Sequence, residues 1–541
     1  MPTLKQLVKT HTGLVFLIPY ALIMVFLGFS DSALQLDEGA DTFISSTILK
    51  YGLPYHQDET VYTMGEGDVR DDKLFIYRTW FPYYLQASSL FLFGKTTFAA
   101  RLPFALSGVL SAIALYFFTL KLTKKKSTAF LATLFLASSV PALIYFRTAR
   151  YIGLPILLTI LLLYCYITIY EKKHWNPWPL TLVSIIYFHT MYVAFAGVIL
   201  GVIIHFYINR KSTTKNNYKY VAQAAVVTAI FTLPWLWFNF AIFEKVSEFY
   251  LSANDQIDTT NWRFLKHLAG FLFQLNNYTF PLILLPLLLV KSLRPYRTEI
   301  QLCLFCTAGL IFISLLHTIP LQQYIAGSFP LWCILLALLI IEGFRSSTIR
   351  YAITATLVLT NLIHIGPLLS VKEVLSANPQ WLNKNSYMMD ISKSFTREIK
   401  FKSVFYEYLF EISNTYKGPL DEIVAFLKTH GKPGDSCYID TERESLNFYT
   451  KMKVILRNDL KVAEPPDWIV LRGNDWNAIE GNSPSPTAKI LREIVSRNTY
   501  SKIALNAPPV RVNNSYDIQI HLFRSPSSAD KIVIYKRADY S

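Results

Sequence analysis

Charge is what this sequence has least of for its size. Only 16% of its 541 residues are Asp, Glu, Lys or Arg, against about 25% in ordinary soluble domains. That shortage excludes a chain whose whole surface faces water. Cysteine is scarce too. There are five, and Cys165, Cys303, Cys306 and Cys333 lie inside apolar runs, which leaves Cys437 alone in the polar C-terminal part. No disulfide can form within that part. The Cys303 and Cys306 spacing sits in an apolar run without a second pair, so it reads as small apolar packing and not as a metal knuckle. Internal repeats and low-complexity tracts are lacking. So is any long basic-side segment that would hold a cytosolic nucleotide-sugar domain.

In place of charge the chain carries oil, with 52% of its residues hydrophobic and gathered into runs such as 129–144, 154–169 and 325–341. Each run is about long enough to cross roughly 30 Å of hydrocarbon, allowing for tilt. Eleven spans are predicted, at 14–30, 98–120, 127–144, 153–170, 178–188, 191–208, 221–243, 278–290, 300–316, 325–341 and 351–370. The fifth and eighth are short and carry Pro179, and Pro281 with Pro286, so they are read as tilted, kinked or partly re-entrant. The first also fits a cleaved signal peptide, with Lys5 and Lys9 as its basic region. The expected class is a polytopic α-helical membrane protein. Residues 1–370 form the transmembrane part with a large first loop at 31–97, and residues 371–541 form a soluble α/β domain.

The formal net charge of +15 is spread along the chain as topology, not gathered as a nucleic-acid patch. Lys121, Lys124–Lys126, Lys172, Lys173, Arg210, Lys211, Lys215, Lys219, Lys291, Arg294, Arg297, Arg345 and Arg350 fall on one side, while the short opposite loops hold only Arg147 and Arg150. By the positive-inside rule the first set and the N-terminus are cytoplasmic. Residues 31–97 and 371–541 are then extracytoplasmic, on a multi-pass protein of the cytoplasmic membrane. Residues 75–93, rich in aromatics, are predicted to lie along the membrane surface. In the tail, 420–429 reads as an amphipathic helix, 432–435 as a turn, and 437–440, 468–472, 518–523 and 532–535 as strands.

This topology gathers Asp37, Glu38, Arg78, Arg147, Arg150, His189, His317, Gln322, Gln323 and Tyr324 at the outer ends of spans. Transport sites usually lie nearer the midplane. Carboxylates facing guanidinium groups at headgroup depth suit transfer of a group from a lipid phosphate. The arginines fork onto phosphate oxygens, and a carboxylate takes the proton of an attacking hydroxyl. The same residues admit plainer roles. Asp37 and Glu38 suit a helix cap or solvated charges, Arg147 and Arg150, three apart, share one helical face and snorkel to headgroups, and Tyr324 suits an aromatic belt.

A succession of motifs shifts that balance. Leu36-Asp37-Glu38-Gly39-Ala40 precedes Ile48-Leu49-Lys50-Tyr51-Gly52-Leu53-Pro54, and Pro82-Tyr83-Tyr84-Leu85-Gln86-Ala87 precedes Ala100-Arg101-Leu102-Pro103. Arg147-Thr148-Ala149-Arg150-Tyr151 and Gln323-Tyr324-Ile325-Ala326-Gly327 follow in order. Together they resemble the GT-C class of glycosyltransferases, in the group of protein O-mannosyltransferases and lipid A aminoarabinose transferases. The resemblance implies a polyprenyl-phosphate sugar donor, a hydroxyl acceptor on a lipid, polysaccharide or protein, and inverting transfer of a hexosyl or pentosyl unit. It implies catalytic roles for Asp37 and Glu38, with Arg78, Arg147, Arg150 and Tyr324 at the donor phosphate. No cofactor is expected, and no strict divalent-metal requirement. Ile152 stands where many relatives have an aspartate, Gln323 where they have an arginine, and Arg78-Thr79-Trp80 where they have Lys-Pro-Pro. The alternative reading is a non-enzymatic membrane assembly or lipid-binding protein of the same architecture.

Overall fold

The computed structural model describes residues 11–61, 73–171, 176–210, 215–253, 263–276, 291–317, 320–360, 363–365, 401–414, 417–455, 457–472, 475, 477–481, 483–507, 515–518, 521, 523–524 and 530–538. The predicted span at 278–290 and residues 361, 362 and 366–370 lie outside the described residues, and the last predicted span, 351–370, is cut short, because its helix ends at Thr360 and Ile363–Ile365 forms a strand that pairs with the tail. The helices of the first part are α1 (Thr12–Phe26), α2 (Leu36–Tyr51), α3 (Phe81–Phe93), α4 (Thr97–Thr123), α5 (Lys126–Ala137), α6 (Val140–Arg147), α7 (Leu154–Glu171), α8 (Trp178–Ile208), α9 (Lys215–Ala253), α10 (Arg263–Gln274), α11 (Arg297–Ser314), α12 (Phe329–Gly343) and α13 (Ser347–Thr360). Among the described residues six helical segments are long and apolar enough to cross a membrane, and the α5–α6 pair, bent by 61°, makes a seventh. The bend falls at Ser138 and Ser139, just before Pro141 in the first turn of α6, where the proline ring cannot continue the preceding helix.

The fifth and sixth predicted spans are the two arms of α8, broken at Met191, whose φ of −158° and ψ of 88° are not helical. The Tyr166 hydroxyl bonds His205 at 2.8 Å and the Tyr170 hydroxyl reaches the Asn209 carbonyl at 3.5 Å, so the end of α8 lies beside the end of α7. Thr159 and Tyr187 pair at 2.8 Å near the opposite end. The seven Cα-to-Cα steps from Glu171 to Trp178 reach at most about 25 Å. A straight α8 would put Trp178 beyond that reach, so the chain folds back at Met191, with His189 at the turn. The second arm then packs backbone to backbone on α11. A Cβ at Gly197 would meet Leu310 Cα at 2.7 Å, and one at Gly201 would meet the Phe305 carbonyl carbon at 2.6 Å. Small residues four apart permit such close approach in a membrane. At the basic ends, Lys125 pairs with Glu342 at 2.7 Å, which ties the start of α5 to the end of α12.

The first loop holds more order than its sequence advertised. Glu38 returns to accept the Gln35 backbone N–H at 3.0 Å and caps α2, and Gly52, at φ 79°, closes it in the left-handed conformation. Of the segment 75–93 only Phe81–Phe93 is helical, as α3, and its Phe91, Leu92 and Phe93 are exposed.

The tail contributes β1 (Ile363–Ile365) paired with β2 (Phe401–Ser403), then α14 (Val404–Ser413), α15 (Pro419–His430), β3 (Ser436–Ile439), α16 (Arg443–Thr450), β4 (Lys453–Ile455), β5 (Trp468–Leu471), α17 (Pro486–Arg497), β6 (Tyr500–Leu505) and β7 (Ile532–Arg537). The five-stranded sheet has the order β4-β3-β5-β7-β6, parallel through β4, β3 and β5 and antiparallel beyond. The α/β expectation therefore holds in outline. The strand expected at 518–523 is absent among its described residues, with Ile518 in a turn and Phe523 in a bend, and the sheet gains two strands the sequence does not announce, β4 and β6. The reason is burial. Ile518 and Phe523 bury into the core of the membrane part beside Val404, Tyr408 and Ile412, so their apolarity serves docking and not a sheet.

First loop and tail form one body. Phe43 of α2 and Val61 join the sheet's core with Leu420, Ile423 and Trp468. Val454 of β4 bonds the Thr60 carbonyl at 2.9 Å. Asp421 accepts the Ala33 N–H at 2.7 Å, and the Tyr449 hydroxyl accepts that of Leu34 at 2.9 Å. Gly39 faces the start of α16, where a Cβ would lie 2.8 Å from the Ser445 nitrogen.

Candidate active site

Asp37 and Asp41 lie one turn apart and share a face of α2. Arg150 Nη1 donates to Asp37 Oδ2, and its Nε lies 3.3 Å from Asp41 Oδ2. Arg78 Nη1 donates to Asp41 Oδ1 at 2.9 Å, and the Tyr83 hydroxyl donates to the same oxygen at 3.1 Å. Two carboxylates and two guanidinium groups thus interleave, so each charge meets its opposite. Their access to solvent differs. The side chains of Asp41 and Arg150 are 5% and 1% exposed, whereas Asp37 keeps 41% and Arg78 31%. Asp37 and Arg78 therefore face the open side, and the other pair forms the floor.

Aromatic rings wall the cluster. Arg78 lies 5.1 Å from the Tyr151 ring centre and 5.5 Å from that of Tyr77, and Arg150 lies 4.3 Å from that of Tyr516. These faces offer cation–π attraction to the guanidinium groups. Desolvation works to raise the Asp37 pKa, but Arg150, Arg78 and the Tyr516 hydroxyl outweigh it and hold the carboxyl below its ordinary value. Asp37 is accordingly a carboxylate at neutral pH.

Glu38 does not turn toward this cluster. It forks onto Arg101, with Nε to Oε1 and Nη2 to Oε2 both 2.8 Å, and accepts the Ala149 N–H at 2.6 Å. Arg101 also donates to the carbonyls of Phe29, Ser32 and Ala33 at 2.6, 3.2 and 3.2 Å. This buried clamp ties α4, the end of the first span and the Ala149–Arg150 backbone to α2. Arg147 also faces elsewhere. The predicted shared face with Arg150 fails because α6 ends at Arg147, and Thr148 and Arg150 are extended. Arg147 instead donates to the Val25 and Leu27 carbonyls at 2.9 and 2.7 Å, beside Tyr408 of α14. Tyr324 stacks on His317, 3.8 Å between ring centres, on the Arg78, Tyr77 and Tyr151 side of the site. His189 bonds the Phe231 carbonyl at 3.1 Å and packs against Trp235, which contacts Trp80 on the rim.

A family model described as dolichyl-phosphate-mannose-protein mannosyltransferase matches residues 78–238. Among solved structures the chain is similar to ArnT from Cupriavidus metallidurans bound to undecaprenyl phosphate, with a TM-score of 0.56 and 13% identity over 97% of this chain and 98% of that one. The apo state of ArnT gives 0.55 and 13% over the same shares. The Archaeoglobus fulgidus oligosaccharyltransferase in complex with Zn and sulfate gives 0.48 and 13% over 93% of this chain and 72% of that one. No protein of curated function matches.

The chain has the GT-C glycosyltransferase fold. On that fold the site unites α2, the segment before α3, the turn after α6 and one piece of the tail. Asp41 and Tyr516 are the members that sequence reasoning missed. Asp41 had a signal, since it stands four residues after Asp37 behind a helix start, but 31–97 was read as loop. Tyr516 had none, because only tertiary packing brings the tail to Asp37. Among the described residues no group of three or more His, Cys, Asp or Glu is arranged to hold a metal ion.

Proposed function

We propose that the protein moves a sugar from a polyprenyl-phosphate donor to a hydroxyl acceptor on the extracytoplasmic face of the cytoplasmic membrane. The observation that carries this reading is the solvent-reachable Asp37 carboxylate, held ionised beside Arg78 and Arg150. The mannosyltransferase family match and the ArnT fold, seen there with undecaprenyl phosphate, support the same chemistry.

In this mechanism Asp37 takes the proton of the acceptor hydroxyl as its oxygen bonds the anomeric carbon. The bond from that carbon to the phosphate oxygen breaks, and polyprenyl phosphate leaves with the electron pair. Attack from the face opposite the phosphate inverts the anomeric centre. Arg78, the more exposed guanidinium, neutralises the leaving phosphate beside Tyr324, while Arg150 holds Asp37 and Asp41 in place. Asp41 orients Arg78, and the buried Glu38–Arg101 clamp positions rather than reacts. A monophosphate leaving group carries few enough charges for guanidinium groups to offset, so we expect transfer to survive a chelator.

The test pairs two measurements. Envelope lipids, polysaccharides and proteins are compared by mass spectrometry with and without the gene. The purified protein in nanodiscs is also given polyprenyl-phosphate sugars and envelope extract. The expected result is one sugar lost from one fraction and free polyprenyl phosphate released in vitro. An unchanged envelope together with an unconsumed donor panel would sink the reading.

A further inference from the structure

The tail reaches the reacting carboxylate itself. Its segment Ser515–Ile518 is docked by Ile518, which is buried in the membrane part's core. His521 ties the same segment down, donating from Nδ1 to the Ser515 carbonyl and pairing with Glu411 of α14 through Nε2 at 2.7 Å. Between those anchors Tyr516 lays its ring 4.3 Å from the Arg150 guanidinium carbon, and Arg150 in turn donates to Asp37, which sets the phenol beside that carboxylate. A second tail element, the start of α16, closes on α2 at Gly39 and brings Glu444 into the field of Asp37.

We propose that Tyr516 is a positioning residue of the transfer site: its phenol donates to Asp37 and holds that carboxylate toward the acceptor, while its ring keeps Arg150 beneath. The proposal rests on the reading of Asp37 as the base. The geometry favours this role over simple tail docking for two reasons. Docking is carried by Ile518, Phe523 and His521, whereas Tyr516 lies against Arg150, the partner of the one carboxylate of the cluster that solvent reaches. The groups facing Asp37 are Arg150, Arg78, Asp41, Glu444 and Tyr516, and among them only the phenol is a neutral donor that a single oxygen deletion removes.

Tyr516→Phe keeps the ring and removes the hydroxyl, while Tyr516→Leu removes both. Carbodiimide attacks protonated carboxyls, and far above the pKa its rate follows the protonated fraction. Losing a hydrogen bond to the charged form raises a carboxyl pKa by about one unit, so Asp37 labelling at pH 5.5 should run roughly tenfold faster in Tyr516→Phe. Peptide mapping of the full-length protein in nanodiscs reads that rate without needing turnover. In the transfer assay Tyr516→Phe should lower kcat roughly 3- to 10-fold with donor-lipid binding unchanged, and Tyr516→Leu should lower it further. A labelling rate equal to the parent's overturns the role of Tyr516 even if transfer persists. A parent that consumes no donor, combined with faster labelling in Tyr516→Phe, removes the glycosyltransferase reading and leaves the Tyr516–Asp37 contact standing. Loss of donor binding in both variants would make Tyr516 a docking residue, and overturns the proposal.

Discussion

If Glu38 is a structural clamp and not a second base, charge removal there should be repaired by removing its partner. Glu38 accepts two 2.8 Å bonds from Arg101 and one 2.6 Å bond from Ala149, with side-chain exposures of 1% for Glu38 and 6% for Arg101. Arg101→Leu leaves that carboxylate buried without its counter-ion, which should destabilise the protein by about 3–5 kcal/mol. Glu38→Gln keeps an acceptor for Ala149 but weakens the fork onto Arg101, at about 1.5–3 kcal/mol. The double variant buries no unpaired charge. It should therefore be more stable than the sum of the singles predicts, by roughly 2 kcal/mol. SDS titration in mixed micelles gives the four stabilities. Transfer activity of the double variant gives the second readout, because Ala149 still docks and Arg150 stays in place. Additive destabilisation would refute the clamp, and a stable but fully inactive double variant would return Glu38 to the chemistry.

Asp37→Asn should lower turnover about 10²- to 10⁴-fold while donor lipid still binds, measured by single-turnover transfer and native mass spectrometry. Because the Asp37 pKa is held below its ordinary value, the base form exists throughout neutral pH, so activity should fall only on acidification through that lowered pKa. Arg78→Ala should weaken donor binding by about 1.5–3 kcal/mol, roughly 10- to 150-fold in Kd, and should also speed Asp37 labelling, because Arg78 helps hold that carboxyl below its ordinary pKa. Burial lowers the His521 pKa but Glu411 and the Ser515 carbonyl more than restore it, against the nearby Arg147, and leave it raised. The imidazolium therefore contributes stability fully below the ordinary histidine pKa and loses it as pH rises through the raised value. Proteolysis of the tail should accelerate over that rise, and His521→Gln should flatten the change. All five cysteines are buried, so new ones report topology cleanly. A cysteine at the exposed Thr429 should react with an impermeant thiol reagent in spheroplasts, and one at the exposed Ser347 should not.

The spans were legible because hydrocarbon thickness sets their length, and the reversal inside α8 was legible because two short apolar runs flanked a polar His189. Asp37, Arg78 and Arg150 were legible as a group because topology alone carries them to one side. Their partners were not. A one-turn repeat of carboxylates on α2 becomes visible only if residues 35–52 are read as a helix, and the cue for that was the Gln35–Glu38 cap with Gly52 behind it. Arg147 was grouped with Arg150 on helical periodicity, and periodicity fails where the helix stops one residue too soon. Ile518 and Phe523 looked like strand residues because apolarity does not say which surface will cover it.

The contact at Gly39 bears on how separable the two halves are. α2 meets α16 with no room for a side chain, and Phe43 from the same helix completes the core beneath the tail's sheet. A chimera that joins this membrane part to the tail of a relative at residue 370 would therefore set a foreign surface against a helix moulded to Ser445. Residues 33–61 belong with the tail in any such exchange, although more than 300 residues of chain separate them. Inheritance of the two halves should follow the same unit: a change at position 39 is tolerable only with a compensating change on α16.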